Sequence, residues 1–193
     1  MTALLVICNP LRTSFNHEIA RRITTVLEKD HHTVVTVNLY TEIFDPVLHE
    51  AEILQRFSFD PNVQRYIRNL EEAHGVVIVH PDWWGQPPAL LKGWVDRVFR
   101  PGIAFEYEGE EFMTRRPIPL LLGKKAQVFC TTDRDVTIEA HPLETIWRNH
   151  IFGFCGIEDV RFHLLWEVHK KKPSERLGWL DYAEGQITGW LDK

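Results

Sequence analysis

The sequence predicts an α/β fold, a three-layer sandwich in which helices cover both faces of a five-stranded parallel sheet. Short aliphatic runs alternate along the chain with segments whose apolar residues recur at helical spacing. Residues 76–79 (Val-Val-Ile-Val) are apolar throughout, which is typical of a strand buried on both faces of a parallel sheet. The chain has 193 residues, enough for one full core and too few for two large ones. We therefore expect residues 1–193 to form a single domain.

The amino-terminal third reads as strand, helix and strand. A first strand is predicted at residues 3–8, and a helix at 15–29 because four aliphatic residues share one of its faces. These residues are Ile19, Ile23, Val26 and Leu27. A second strand is predicted at 33–39, which is rich in valine and threonine. Residues 40–60 show no periodicity and are predicted to be irregular.

The middle of the chain continues the alternation. A helix is predicted at 61–73, because Pro61 suits the first turn of a helix. The third strand follows at 75–80. The next helix is predicted at 89–99, after a turn rich in proline and glycine.

A long excursion precedes the last strands. Residues 100–124 contain several glycines and prolines, and within them 103–107 and 111–113 are expected to pair as a small hairpin. The remaining predicted elements are a strand at 126–131, a helix at 142–152, a strand at 160–167 and a helix at 174–191. Right-handed crossovers between parallel strands then place helices on both faces of the sheet.

Composition excludes several classes of function. The net charge is −5, and Lys170–Lys172 form the single basic cluster, which is expected to be a solvated turn. Nucleic acid is therefore not an expected partner. No apolar segment approaches the ~20 residues of a membrane span, and the amino terminus lacks the features of a signal peptide.

The three cysteines lie in apolar surroundings. Cys8, Cys130 and Cys155 are an odd number, and we expect them to be buried free thiols. Free thiols favour a reducing compartment, so a cytoplasmic location is predicted. No histidine pattern has the spacing of a metal site, and no metal is expected.

The loop after the first strand excludes other nucleotide folds. It contains neither the P-loop motif nor Gly-x-Gly-x-x-Gly, and Asn9 and His80 stand where a phosphorylated receiver domain needs acidic residues. The loop instead offers Thr13, Ser14 and Asn16 at the start of a helix, where unpaired N–H groups bind anions. Arg12 could add a charge. Simple capping of the helix by Ser14 or Thr13 is the alternative.

An aromatic pair follows the third strand. Trp83 and Trp84 lie on a turn at the carboxyl end of a central strand, where open α/β sheets bind ligands. The pair could also anchor a dimer. A flat aromatic surface beside an anion site suits a phosphate joined to a planar ring, and flavin mononucleotide (FMN) has that shape.

These motifs resemble those of the NAD(P)H:quinone oxidoreductase family with a flavodoxin-like fold, which includes ancillary subunits of potassium-efflux systems. Thr-Ser-Phe-Asn at 13–16 matches after the first strand. The block at 83–107, with Pro-Ala-Leu-Leu-Lys-Gly-Trp and Pro-Gly-x-Ala-Phe-x-Tyr, is the most specific part. Phe-Cys-Gly at 154–156 also matches, and the resemblance extends over essentially the whole chain.

The resemblance implies three groups of cofactor-binding residues. The phosphate and ribityl chain of the flavin would be held by Asn9, Ser14, Phe15 and Asn16. The loop flanking the isoalloxazine ring would consist of Pro81, Asp82, Trp83, Trp84 and Gly85. The polar edge of the ring would meet Thr131, Thr132 and Asp133. The family has Thr-Thr-Gly-Gly at this last place, whereas Asp133 and Arg134 stand here, and His141 is too weak a match to assign a catalytic residue.

The implied activity is two-electron transfer from NAD(P)H to a quinone by a ping-pong mechanism, in a homodimer. The alternatives are a flavin-binding ancillary subunit peripherally associated with a potassium-efflux transporter, and an azo or nitro reductase. FMN is favoured over FAD because the chain is short. The choice between NADH and NADPH is left open.

Overall fold

The computed structural model describes residues 1–109, 116–135 and 141–192, and a five-stranded parallel sheet lies at its centre. The strands of the chain are β1 (Thr2–Ile7), β2 (Thr33–Asn38), β3 (Gly75–Pro81), β4 (Phe105–Glu108), β5 (Arg116–Pro119), β6 (Lys125–Thr131) and β7 (Asp159–Leu165). The order across the large sheet is β2-β1-β3-β6-β7, and every neighbouring pair is parallel. The predicted flavodoxin-like fold is confirmed.

Helices cover both faces of this sheet. They are α1 (Phe15–Lys29), α2 (Glu50–Gln55), α3 (Pro61–Glu72), α4 (Ala89–Val98), α5 (Pro142–Thr145) and α6 (Pro173–Ile187). A π-helix, Ile146–Gly153, continues α5. The first face is covered by α1 and α6, through Ile19, Ile23, Leu27, Leu180, Ala183 and Ile187. The opposite face packs against α3, α4 and the π-helix, through Val63, Tyr66, Leu91, Trp94 and Trp147.

The central strand β3 is buried along almost its whole length, as its apolar sequence predicts. Gly75 begins this strand beneath the carboxyl-terminal residues, where a Cβ would lie 2.6 Å from both Leu191 and Trp190. A larger residue there would push these side chains off the sheet. The central strand is therefore buried along almost all of its length and closely packed at its start, and the loop that follows it extends from the core.

The segment predicted to be irregular, 40–60, contains the short helix α2. Arg97 of α4 holds it, since its guanidinium donates to both carboxylate oxygens of Glu52 at 3.0 Å. The same guanidinium donates to the Asp60 carboxylate at 3.1 Å and to the Asp45 carbonyl at 2.6 Å. This buried charge is fully paired, and it ties a long surface segment to the core.

The predicted hairpin is only partly correct. Phe105–Glu108 is a strand, close to the predicted 103–107, and it pairs antiparallel with Arg116–Pro119. The predicted second strand, 111–113, lies outside the described residues. The strand that pairs with Phe105–Glu108 is thus further along the chain than the predicted second strand.

The three cysteines are unpaired and buried, as predicted. Burial raises the pKa of the Cys8 and Cys155 thiols to about 12, and it also raises the pKa of Cys130. None of them is therefore an activated thiolate. Among the described residues, no helix combines the length and apolar character that a bilayer crossing needs.

Two buried histidines are neutral by their hydrogen bonds. His80 Nε2 accepts from the Trp147 indole N–H at 3.0 Å, so the proton of His80 is on Nδ1, which donates to the Pro81 carbonyl. His163 lies between the Gln127 side chain and the Tyr182 hydroxyl. Burial lowers the pKa of each imidazole from 6.5 to about 4.

These pKa values predict acid destabilisation. Between pH 6.5 and about 4 the unfolded chain binds protons that the folded chain does not. The free energy of unfolding should therefore decrease as the pH is lowered through this range, by about 1.4 kcal/mol per pH unit for each histidine. Urea unfolding of the His163→Gln variant at pH 7 and pH 5 should show a smaller loss than the wild type. The exposed His150→Gln variant is the control, and equal losses in all three proteins would contradict the prediction.

Candidate functional site

A cleft of about 420 Å³ opens at the carboxyl edge of the sheet, where the loops after β1, β3, β6 and β7 meet. Parallel strands deliver these loops to one edge, and the strand order places them around a single hollow. All of the predicted cofactor-binding residues except Trp84 and Gly85 line it. They are Asn9, Ser14, Phe15, Asn16, Pro81, Asp82, Trp83, Thr131, Thr132 and Asp133.

The amino terminus of α1 presents unpaired donors to this cleft. Ser14 is the N-cap residue, but its side chain does not cap the helix, because its hydroxyl instead meets His17 Nδ1 at 2.9 Å. The capping alternative for Ser14 is therefore wrong. Within the described chain, the N–H groups of Phe15 and Asn16 make no hydrogen bond. Together with the helix dipole, they form a place for an anion.

A buried amide lies beside this helix terminus. Asn16 Oδ1 accepts from Asn9 Nδ2 at 2.7 Å and from the Thr131 hydroxyl at 3.2 Å. Asn16 Nδ2 is buried and finds no partner among the described residues. A buried donor without an acceptor is costly, so this part of the cleft suits a ligand that carries oxygen acceptors.

The tryptophan loop is a tight two-residue turn. Trp84 and Gly85 have φ angles of 62° and 74°, and Trp83 and Gln86 exchange hydrogen bonds between their backbones at 3.2 and 3.1 Å. This geometry is a type I′ turn, which places its two central residues at the tip. Trp83 lines the cleft, while the Trp84 side chain is fully exposed. The flat wall of the cleft is therefore one indole, not two.

Asp82 connects three segments behind that indole. Its Oδ1 accepts from the Gly85 N–H at 2.7 Å, and its Oδ2 accepts from the Thr132 hydroxyl at 3.1 Å. His141 Nε2 lies 3.3 Å from the same Oδ2. His141 is also the N-cap of α5, since its Nδ1 accepts from the Leu143 N–H. The carboxylate thus fixes the turn after β3 against the loop after β6.

Asp133 and Arg134 replace a glycine pair of the resembling family without strain. Neither residue has a positive φ angle, so this loop does not use a conformation that favours glycine. The Arg134 N–H donates to the Thr132 hydroxyl at 3.2 Å. Asp133 accepts from the His169 N–H at 3.2 Å, which joins the loop after β6 to the loop after β7.

The cleft also contains residues that the sequence patterns did not predict. Val168 and His169 follow β7, and Arg176 comes from the first turns of α6. Within the described residues, the Arg176 guanidinium makes no ion pair, whereas Arg12 is exposed and does not line the cleft. The cation at this site therefore comes from the last helix. The sheet-edge rule could have indicated the loop after β7, but the reach of Arg176 depends on how α6 packs against α1.

The described part of the chain has no exposed thiol and no metal cluster. The thiols are buried, and no group of three histidine, cysteine or carboxylate side chains there could hold a metal ion. The arrangement can bind and orient a flat, phosphate-bearing molecule.

Comparison with known proteins agrees with this geometry. A family model described as flavodoxin-like fold matches residues 1–180. An uncharacterized NAD(P)H oxidoreductase of Haemophilus influenzae is 28% identical over 191 residues, which cover 95% of this chain and 92% of that protein. An FMN-dependent NADH:quinone oxidoreductase of Clostridium beijerinckii is 30% identical over 133 residues, covering 66% and 64% respectively.

A solved structure shows the same architecture over nearly the whole chain. The crystal structure of the Streptococcus mutans protein Smu.1420 has a TM-score of 0.86 at 29% identity, covering 98% of this chain and all of that one. Together with the strand order and the cleft at the carboxyl edge of the sheet, these matches show that the chain belongs to the flavodoxin-like fold family.

Proposed function

We propose that this protein is a flavin-dependent NAD(P)H:quinone oxidoreductase that binds FMN in the cleft at the carboxyl edge of the sheet. One observation carries the proposal: unpaired donors and an indole line the same cleft of about 420 Å³. The N–H groups of Phe15 and Asn16 suit a phosphate, and the face of Trp83 suits a planar ring. The relatives named as NAD(P)H and FMN-dependent oxidoreductases support this assignment.

The lining residues divide by chemistry along the cleft. Ser14, Phe15 and Arg176 would hold the phosphate. Asn9 and Asn16 would meet the hydroxyl groups of the ribityl chain, and the unpartnered Asn16 Nδ2 fits an oxygen acceptor. The tryptophan turn and the loop Thr131–Asp133 would flank the ring.

The bound flavin would supply the hydride chemistry, and the protein would supply orientation and electrostatics. Trp83 would shield one face of the ring and leave the other open. NAD(P)H and a quinone would then occupy the open face in turn, which gives a ping-pong cycle. Such a cycle needs no side-chain nucleophile, in keeping with the buried thiols.

We also propose a homodimer formed through the segment 43–59. Large apolar side chains on this segment are unusually exposed, at 94% for Ile43, 81% for Phe59 and 75% for Leu54. The ion pair between Arg97 and Glu52 holds the segment rigid, so an interface there would need little ordering. Several large apolar side chains exposed on one segment are typical of a protein interface.

A cytoplasmic location remains our proposal for the protein. Three unpaired cysteines suit a reducing compartment.

The purified protein should be yellow and should oxidise NAD(P)H rapidly only when a quinone is added. Heat release and chromatography of the pigment would distinguish FMN from FAD, and stopped-flow half-reactions would show the ping-pong order. Azo dyes, nitroaromatics and quinones compared at equal concentration would rank the acceptors.

A colourless protein that binds neither FMN nor FAD would overturn the proposal. Bound flavin with negligible turnover would instead favour the ancillary-subunit alternative.

Removal of the Arg176 charge should weaken binding of the phosphate. In the Arg176→Gln variant, we expect the Kd for FMN to rise by about tenfold, because the variant loses the free energy of one charge-assisted hydrogen bond to the phosphate. The Kd for riboflavin, which has no phosphate, should change little. Fluorescence titration with both ligands measures the difference. Arg12→Gln is the matched control, because Arg12 is exposed and outside the cleft. Equal losses for FMN and riboflavin would contradict a phosphate contact.

Polar substitution of the exposed apolar segment should dissociate the dimer. Sedimentation equilibrium should give twice the chain mass of 22.7 kDa for the wild type and a monomer for the Leu54→Ser, Phe59→Ser double variant. Leu122→Ser is the control, since Leu122 is 66% exposed and lies outside the segment. A wild-type monomer, or a double variant that stays dimeric, would exclude this interface.

A further inference from the structure

The cleft wall contains a carboxylate that is almost completely buried. The Asp82 side chain is 2% exposed, and both of its oxygens accept hydrogen bonds. The donors are the Gly85 N–H, the Thr132 hydroxyl and His141 Nε2. A carboxylate whose two oxygens meet three donors acts here as an acceptor only.

The nearby imidazole does not cancel this charge. His141 Nδ1 accepts a hydrogen bond from the Leu143 N–H at 3.3 Å, so the single ring proton is on Nε2 and points to Asp82. That pattern assigns the neutral tautomer. Among the described residues, no lysine or arginine pairs with Asp82. Two other ionisable side chains lie close to it. One is His80, whose Nε2 accepts from the Trp147 N–H and is therefore not protonated. The other is the buried thiol of Cys130.

A second carboxylate in the same cleft offers a comparison. The Asp133 side chain is 58% exposed and lies 3.4 Å from His169 Nε2. Water and ions screen such a charge strongly, whereas a buried charge is screened much less. Of the two carboxylates, the field inside the cleft should come mainly from Asp82.

We propose that Asp82 sets the reducing strength of the bound flavin, an inference that rests on the proposed function. A hydride delivers two electrons and one proton, so the reduced flavin carries one more negative charge than the oxidised form. A fixed negative charge in the cleft wall disfavours that state, and the protein binds reduced flavin less tightly than it otherwise would. By linkage, this lowers the midpoint potential and favours transfer of the hydride to an acceptor.

His141 and Thr132 act through Asp82 as positioning residues. Neither donor removes the charge, and both hold the carboxylate against the turn after β3. His141 lies behind the wall and does not line the cleft. Its removal should therefore change the electrostatics of the cleft without removing a lining residue.

The test compares Asp82→Asn with Asp133→Asn. The first change keeps an oxygen for the Gly85 N–H and removes the charge. The Kd values for oxidised FMN and for dithionite-reduced FMN are measured anaerobically, and the midpoint potential is measured against a reference dye. The ratio of reduced to oxidised Kd should fall by about tenfold in Asp82→Asn, with a higher potential, and by less than about twofold in Asp133→Asn. Equal ratios in the two variants, or an unchanged ratio in Asp82→Asn, overturn the inference.

His141→Asn keeps the result decisive if Asp82→Asn fails to fold. Asparagine is a good N-cap for α5, but it removes the imidazole donor from Asp82. At pH 8 the carboxylate then has one donor fewer, and its negative field in the cleft is less offset. The midpoint potential should therefore fall, whereas it should rise in Asp82→Asn. An unchanged or higher potential overturns the inference. A wild-type protein that binds no flavin overturns the proposed function as well, whereas flavin binding with unaltered potentials overturns this inference alone.

Discussion

The Asp82 carboxylate joins three segments that are remote in sequence, and the shape of the cleft depends on it. It meets the turn after β3 at Gly85, the loop after β6 at Thr132 and the start of α5 at His141. These segments reach one another because β3 and β6 are parallel neighbours whose carboxyl ends lie side by side. The sheet brings the loops to one edge, and the buried carboxylate then fixes their relative positions. Such a site is preorganised for a rigid ligand.

Charge is distributed unevenly in the cleft lining. The amino terminus of α1 attracts an anion, and so does Arg176, which makes no ion pair with any described residue. The Asp82 carboxylate, buried in the wall after β3, would instead repel added negative charge. On our proposal, a phosphate would be held by the first group, and a ring that gains charge on reduction would be destabilised by Asp82. Tight binding and strong reducing power would then come from different residues.

The sequence predicts the large sheet well because its signals are local. The aliphatic run of β3 and the helical face of α1 are each encoded within one segment. Most of the cleft lining was implied by the family resemblance, and the position of the loops after β1 and β3 at strand ends pointed to the same edge. The rest depends on contacts distant in sequence. Arg176 reaches the cleft only through the packing of α6 on α1, and α2 is too short for periodicity to reveal. The exposure of Trp84 follows from a type I′ turn, which the local sequence Trp84-Gly85 does not predict.

The backbone conformation of Trp84 is strained. A tryptophan with φ of 62° occupies a conformation that glycine or asparagine adopts far more easily, and its indole gains no burial within the chain. The Asp82–Gly85 hydrogen bond maintains the turn against that strain. Strain of this kind persists where the surrounding structure enforces it, often beside a ligand or an interface. The same turn directs Trp83 into the cleft, so the strained tip and the aromatic wall belong to one structural element.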